Sequence, residues 1–282
     1  MGARRFRLTE AVAQRIMYCF SEWKTLRSQA EDTSFVSNMV ELKEDMRPYW
    51  RCKVRLTRLL HTLRVRTTGL EHLPEIGSGL LAANHLNWKD VLFIATRAPR
   101  PIHYVATEEL FDEELCTKMF YQFAREKLGP KLAPLTREFC ANLARYIVPG
   151  VKKIGTIPTT RKPFDKRLYS RLMQALRDGK LVCIFAEAGT SIPGKIRKFK
   201  KAAAKVIYDL YSEGFTDIPV VPTLVVGTEK LFLPGRQLGL HFGTPLYIRD
   251  FILDDGKQTI VRFTQSLEDS VRRLLNHSKS PG

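Results

Sequence analysis

The sequence predicts an α/β protein: a central, largely parallel sheet flanked by helices, with a helical N-terminal region ahead of it. Three observations carry this. From about Arg66 onward, apolar runs of strand length alternate with stretches of helical periodicity. Polar, glycine-containing segments follow several of those runs, as loops at the strand ends of an open sheet do. Ahead of Arg66 the alternation is missing, and apolar residues recur near a 3.6-residue spacing. Residues 1–66 are therefore read as a basic, amphipathic helical region and residues 67–282 as the sheet-bearing domain.

Taken in order, Thr9 can cap a first helix with apolar positions at Leu8, Val12, Ile16, Cys19, Phe20 and Trp23. After a polar stretch, residues 47–66 carry Arg47, Arg51, Lys53, Arg55, Arg58, Arg64 and Arg66 with no acid among them. Trp50, Val54, Leu56, Leu59, Leu60 and Leu63 are interleaved. Such a basic amphipathic helix is suited to lie in the interface of an anionic membrane. Candidate strands are 80–83, 102–106, 153–157, 181–185, 220–226 and 240–248. Leu168, Leu172, Ala175 and Leu176 form a helical stripe that Gly179 stops. Val206, Ile207, Leu210 and Tyr211 form another, stopped by Gly214. Residues 259–275 form a third.

Composition narrows the function classes. A hydrophobic share of 44% excludes a disordered chain. With 46 Lys and Arg against 29 Asp and Glu, the net charge of +17 calls for an acidic partner. Nucleic acid, an anionic bilayer and a phosphorylated ligand all qualify. The 5 cysteines are scattered singly, with no CxxC pair, which argues against a disulfide framework or a zinc site and for a reducing compartment. The basic N-terminus has no apolar segment behind it, so no signal peptide is expected. The charge-free apolar run at 218–226 is far shorter than the ~20 residues of a spanning helix. The chain is expected to lie on a membrane rather than cross one.

The most informative segment is Asn84-His85-Leu86-Asn87-Trp88-Lys89-Asp90. It follows a buried strand and opens a helix. With Asn87 as N-cap, Asp90 falls at N3, where its carboxylate can reach back to the imidazole. A carboxylate on one ring nitrogen fixes the tautomer and frees the other nitrogen as a general base. No serine or cysteine adjoins His85, so the base would act on a substrate hydroxyl. A second loop, Ala186-Glu187-Ala188-Gly189-Thr190-Ser191, leaves the strand at 181–185 and leads to a helix starting near Phe199. Its backbone N–H groups suit a phosphate or an oxyanion, reinforced by Lys195, Arg197, Lys198, Lys200 and Lys201. Between the two, Gly155-Thr156-Ile157-Pro158-Thr159-Thr160-Arg161 follows a strand, and Arg161 can grip a phosphate with its fork of donors.

These loops, in this order, resemble the glycerolipid acyltransferase family. Asn84-His85 and Asp90 look like its first block, and Gly155 to Arg161 is similar to its second. Phe185-Ala186-Glu187 with Gly189-Thr190-Ser191 and then Gly194-Lys195 looks like its third, and Val221-Pro222 through Val226 like its fourth. Gly69-Leu70-Glu71-His72-Leu73-Pro74 fits the family's entry to the first block. The resemblance spans roughly residues 66–251. It implies His85 as general base with Asp90 as its partner, and Arg161 as a phosphate ligand. It also implies Glu187, Gly189 and Thr190 in the substrate-binding loop, and Pro222 at the back of the site. Where the family usually reads Phe-Pro-Glu-Gly-Thr-Arg-Ser, this chain has Ala186 for the proline and no arginine. Either Lys195 or Arg197 stands in for that arginine, or the acceptor is not a simple phosphomonoester.

The function expected is transfer of a fatty acyl group from acyl-CoA or acyl carrier protein to a hydroxyl of a lysophospholipid or glycerol phosphate. The first choice of acceptor is 1-acyl-glycerol-3-phosphate. No metal or redox cofactor is expected. The place expected is the cytosolic face of a membrane. The alternative from charge alone is a basic nucleic-acid-binding protein, with Tyr49, Trp50 and the arginines stacking and pairing on RNA. It leaves His85, Asp90 and the order of the loops without a purpose, so no nucleic-acid partner is expected.

Overall fold

The computed structural model describes residues 53, 65–160, 165–187, 189–230 and 237–279. The helical region expected over residues 1–66 lies outside them, apart from Lys53, Val65 and Arg66.

Seven strands form one sheet: β1 (Val65–Thr68), β2 (Gly79–Ala83), β3 (Ile102–Thr107), β4 (Ile157–Thr159), β5 (Leu181–Phe185), β6 (Val220–Val226) and β7 (Leu238–Phe242). Their spatial order is β1-β7-β6-β2-β5-β3-β4. β6, β2, β5, β3 and β4 run parallel; β7 opposes β6, and β1 follows β7. The sheet is flanked by α1 (Lys89–Arg97), α2 (Glu113–Leu128), α3 (Arg137–Lys153), α4 (Lys166–Arg177), α5 (Ala202–Ser212) and α6 (Gly256–Lys279). This is the expected α/β architecture.

β2 has no polar residue and is buried along its whole length, as a central parallel strand covered on both faces must be. Alternation divides its side chains. Leu80 and Ala82 join Val182, Val220 and Leu224 in a core closed by α4, α5 and α6. Leu81 and Ala83 join Leu181, Cys183, Val221 and Val225 on the other face, against Ile94 of α1. At the end of α1, Lys53 Nζ donates to the Ala98 carbonyl. Burial lowers the Lys53 pKa. This member of the basic run therefore turns onto the sheet-bearing domain.

Three expected boundaries move. The strand expected at 153–157 is β4, beginning only at Ile157, because α3 continues to Lys153 and Gly155 then turns the chain at φ 71. A Cβ at Gly155 would stand 2.5 Å from the His103 ring. The strand expected at 240–248 is β7, ending at Phe242; the Gly243 N–H goes to the Pro222 carbonyl at 2.7 Å and Ile248 opens a 3-10 turn. The helix expected near Phe199 starts at Ala202. The two amides ahead of it are engaged elsewhere: Phe199 N donates to Glu268 Oε2 at 2.8 Å and Lys200 N to the Ala186 carbonyl at 2.8 Å. Two helices were not foreseen. α2 and α3 stand between β3 and β4 and enclose a small core of Cys116, Ala144 and Val148.

Candidate active site

β2 and β5 are neighbours, with Ala83 opposite Phe185. Both chains leave the sheet at that height, so the first and third blocks emerge side by side. Asn84 holds the exit of β2 in place. Its side chain accepts from Val225 N at 2.7 Å and donates to the Val225 carbonyl at 3.0 Å. The amide thus extends the sheet by one side chain where the β2 backbone turns away. His85 follows, stacked on Phe185 with ring centroids 4.1 Å apart.

His85 Nδ1 donates to Asp90 Oδ2 at 2.9 Å; the imidazole is 22% exposed and the Asp90 side chain fully buried. Asp90 Oδ2 also accepts from Leu86 N at 2.6 Å and Asn87 N at 2.9 Å, and Oδ1 accepts from Thr228 Oγ1 at 2.5 Å. Such complete pairing is what a buried carboxylate requires. The Asn87 side chain accepts from Lys89 N at 3.0 Å. With the Asn87 N–H on Asp90, this forms a reciprocal cap at the start of α1. The helix itself begins at Lys89 with Trp88 in the N-cap position, one residue later than expected, so Asp90 falls at N2 rather than N3. The bonds across this start still fix the distance between His85 and its carboxylate partner. Nε2 of His85 has no protein partner among the described residues, and it is the nitrogen free to take a proton.

The third-block loop is tied to the first. Glu187 is buried, and its Oε2 accepts from His85 N at 3.1 Å and from the Ser191 hydroxyl; its Oε1 accepts from Arg197 N at 2.8 Å. Ser191 N donates to the His85 carbonyl at 2.6 Å. Gly189, Thr190, Lys195 and Arg197 are exposed on the outer side of this loop. The Arg197 guanidinium folds back to donate from Nη1 to the Thr190 carbonyl at 3.1 Å. A Cβ on Gly189 would lie 3.2 Å from the same Nη1, so Gly189 keeps open the space in which this cation sits. Arg197 thus carries a guanidinium to the stretch where the third-block arginine is missing.

Arg161 lies outside the described residues. The segment containing it is bracketed by Thr160, whose N and Oγ1 donate to Asp165 Oδ2 at 2.9 and 3.1 Å. Asp165 caps α4 as well, through Arg167 N and Leu168 N. These bonds, led by those from the Thr160 and Leu168 amides, hold the Asp165 pKa down at about 2. Pro222 is buried within β6, opposite Ala82. It stands at the break between the Val220–Leu246 bridge and the β7 register that starts at Thr223, where a missing N–H interrupts no ladder.

Thr228, which donates to Asp90, is absent from the sequence reading, and Asn84 enters it only as a member of the first block, without its bonds to Val225. Thr228 lies two residues past the fourth block, with nothing in its own type to mark it. Among the described residues no group of three His, Cys, Asp or Glu side chains could hold a metal ion. No described helix is long and apolar enough to cross a membrane.

A family model described as Acyltransferase matches residues 64–125 and 134–226. A 1-acyl-sn-glycerol-3-phosphate acyltransferase of Bacillus subtilis (strain 168) is 23% identical over 216 residues, covering 75% of this chain and 88% of the relative. An uncharacterized protein of Mycobacterium leprae is 23% identical over 234 residues, 76% of this chain and 59% of its own length. Among solved structures, the 1-acyl-sn-glycerophosphate (LPA) acyltransferase PlsC of Thermotoga maritima superposes with a TM-score of 0.54 at 18% identity, covering 84% of this chain and 80% of that one. At that identity the likeness speaks for the fold.

Proposed function

The chain belongs to the acyltransferase family, and on that premise we propose that it is a glycerolipid O-acyltransferase. In this reading it moves a fatty acyl group from acyl-CoA or acyl carrier protein to a hydroxyl of a lysophospholipid or glycerol phosphate, with 1-acyl-glycerol-3-phosphate first among acceptors. The observation that carries this is the His85 Nδ1 to Asp90 Oδ2 bond of 2.9 Å at the exit of β2, with the other ring nitrogen left free.

The acceptor hydroxyl gives its proton to Nε2 of His85 as its oxygen attacks the thioester carbonyl carbon. Asp90 holds the Nδ1 tautomer and stabilises the imidazolium that forms. The tetrahedral oxyanion is met by local N–H donors. Its collapse breaks the C–S bond. The thiolate recovers the proton from Nε2, leaving an ester and a free thiol. Arg161 and Arg197, with Lys195, supply the positive charge for an acceptor phosphate. Glu187 holds the loop that presents Gly189 and Thr190.

The enzyme works at an anionic membrane on its cytosolic face, since its acceptor is a lipid. Exposed Trp88 and Ile192, near the site and beside the basic loop, support an approach of the mouth to lipid.

A thiol-release assay with acyl-CoA and a panel of acceptors, read by lipid mass spectrometry, tests the reading. Wild-type protein should release thiol only with a lysolipid or glycerol-phosphate acceptor. His85→Ala should lose roughly 10²- to 10⁴-fold in rate with its fold intact, and Asp90→Asn should lose rate as well. A His85→Ala protein with near wild-type turnover would overturn the mechanism.

A further inference from the structure

We propose that Thr228 is a positioning residue for His85, acting through Asp90; the inference rests on the acyl-transfer reading above. Thr228 is 1% exposed. It cannot meet a substrate, and any effect it has must pass through its neighbours. It stands just past β6, where Gly227 turns the chain at φ 82. A Cβ at position 227 would come 1.9 Å from the Gln237 carbonyl oxygen. Glycine is therefore required there for the chain to turn Thr228 onto α1.

The direction of each hydrogen bond is fixed by chemistry. Asn87 Oδ1 is taken by Lys89 N at 3.0 Å, which identifies the other amide atom as the nitrogen that meets Thr228 Oγ1 at 3.0 Å. The Thr228 hydroxyl accepts there. Its single proton goes to Asp90 Oδ1, an acceptor only, at 2.5 Å. The other three donors to Asp90 all fall on Oδ2. Thr228 is therefore the one donor on Oδ1 among the described residues. Two anchored oxygens fix the plane of a carboxylate, whereas one leaves it free to rotate. Oδ2 is the atom that holds the His85 ring, so loss of the Thr228 hydroxyl lets the ring lose its aim. The charged groups around this set of bonds are Lys89, which lies near both Asp90 and Glu229, and Glu187 beside the His85 backbone.

The test compares Thr228→Ser, which keeps the hydroxyl, with Thr228→Val, which keeps the shape and removes it. Two readouts are taken: kcat and KM for both substrates, and the proton resonance of His85 Nδ1–H in the free protein. Thr228→Ser should keep most of the wild-type kcat and the resonance. Thr228→Val should lose roughly 10-fold in kcat, the scale on which outer hydrogen-bond partners are felt. Its KM values should hold and its resonance should move upfield. If Thr228→Val does not fold, Thr228→Ala removes the same hydroxyl without setting a methyl against Asp90, and the same comparison with Thr228→Ser applies. Wild-type kcat in the hydroxyl-free variant, equal damage in Thr228→Ser, or a change confined to KM would overturn the proposal. The resonance needs no substrate. If wild-type protein transfers no acyl group yet the resonance depends on the hydroxyl, acyl transfer fails and the positioning stands. An active wild type with an unaffected hydroxyl-free variant gives the converse.

Discussion

Glu187 holds His85 by the backbone: its Oε2 accepts the His85 N–H at 3.1 Å. Each residue lies two positions past the end of its strand, on strands in register at Ala83 and Phe185. One buried carboxylate thus sets the height at which two loops meet. Among the described residues all its donors are protein groups, the His85 and Arg197 amides and the Ser191 hydroxyl.

Glu187→Gln is expected to destabilise the fold and slow transfer together. An amide puts its NH₂ against one set of these donors and leaves a buried bond unmade, worth about 1–3 kcal/mol. Urea unfolding alongside the acyl-transfer assay checks this. A variant of wild-type stability would mean that the loops are held by other contacts.

Arg161→Ala and Arg197→Ala are each expected to raise the acceptor KM well above any change in the donor KM. Each removes one charge-assisted contact from one substrate. Steady-state kinetics with both substrates varied gives the answer. An equal rise for donor and acceptor would assign the lost cation to the thioester instead. If Arg197→Ala alone is silent, Lys195 is the replacement for the missing third-block arginine.

Charge reversal in the basic run should release the protein from anionic vesicles. Arg51, Arg55 and Arg58 lie outside the described residues, but each positive charge near an anionic surface is worth about 1 kcal/mol and fades with salt. Vesicle sedimentation should rise with anionic lipid, fall with salt, and drop when all three become Glu. Unchanged sedimentation of that triple variant moves the contact to another surface, with Trp88 and Ile192 the next to substitute.

His241 should make stability pH-dependent. Its Nδ1 faces Thr68 Oγ1 at 2.9 Å, and burial, with Arg66 nearby, lowers its pKa below the usual 6.5. A histidine whose folded pKa is depressed is protonated first in the unfolded chain. Its contribution is therefore whole above about pH 6.5 and declines as pH falls below that value, by at most about 1.4 kcal/mol per pH unit. Urea unfolding at pH 7.5 and 5.5 should show a larger loss for wild type than for His241→Gln. Equal losses would assign the acid sensitivity to other groups.

The sheet and the chemistry were legible in the sequence for the same reason. Strands such as β5 and β6 are apolar on both faces, and the polar loop after each strand stands out against them. His85 and Asp90 were legible because five residues of one chain determine their geometry through a helix cap. Residues whose partners come from far away in the chain were not. Asn84 reads as part of a motif, but its bonds to Val225 span 141 positions. Thr228 meets Asp90 from 138 positions away. The two missed helices differ. Cys116 is the one buried residue of α2, and a stripe that faint carries no clear period. α3 buries Cys140, Ala144 and Val148 four residues apart, a helical stripe of small side chains that stands out little among its polar neighbours. β4 starts later than the expected strand because Gly155, inside the expected span, turns the chain at φ 71.

The α2–α3 hairpin carries its small core with it, and the strands on either side of it are neighbours: Val105 pairs with Ile157 and Thr107 with Thr159. The chain leaves the sheet and rejoins it at adjacent points, so the closure is already made by the β3–β4 ladder. Lengthening such a closed excursion changes its entropy only with the logarithm of its length. Shortening, extending or exchanging the hairpin is accordingly expected to leave His85 and Asp90 in place. The break in the family match at 126–133 falls on its turn. In hydrogen exchange it should open as a unit of its own while β2 and β5 stay protected.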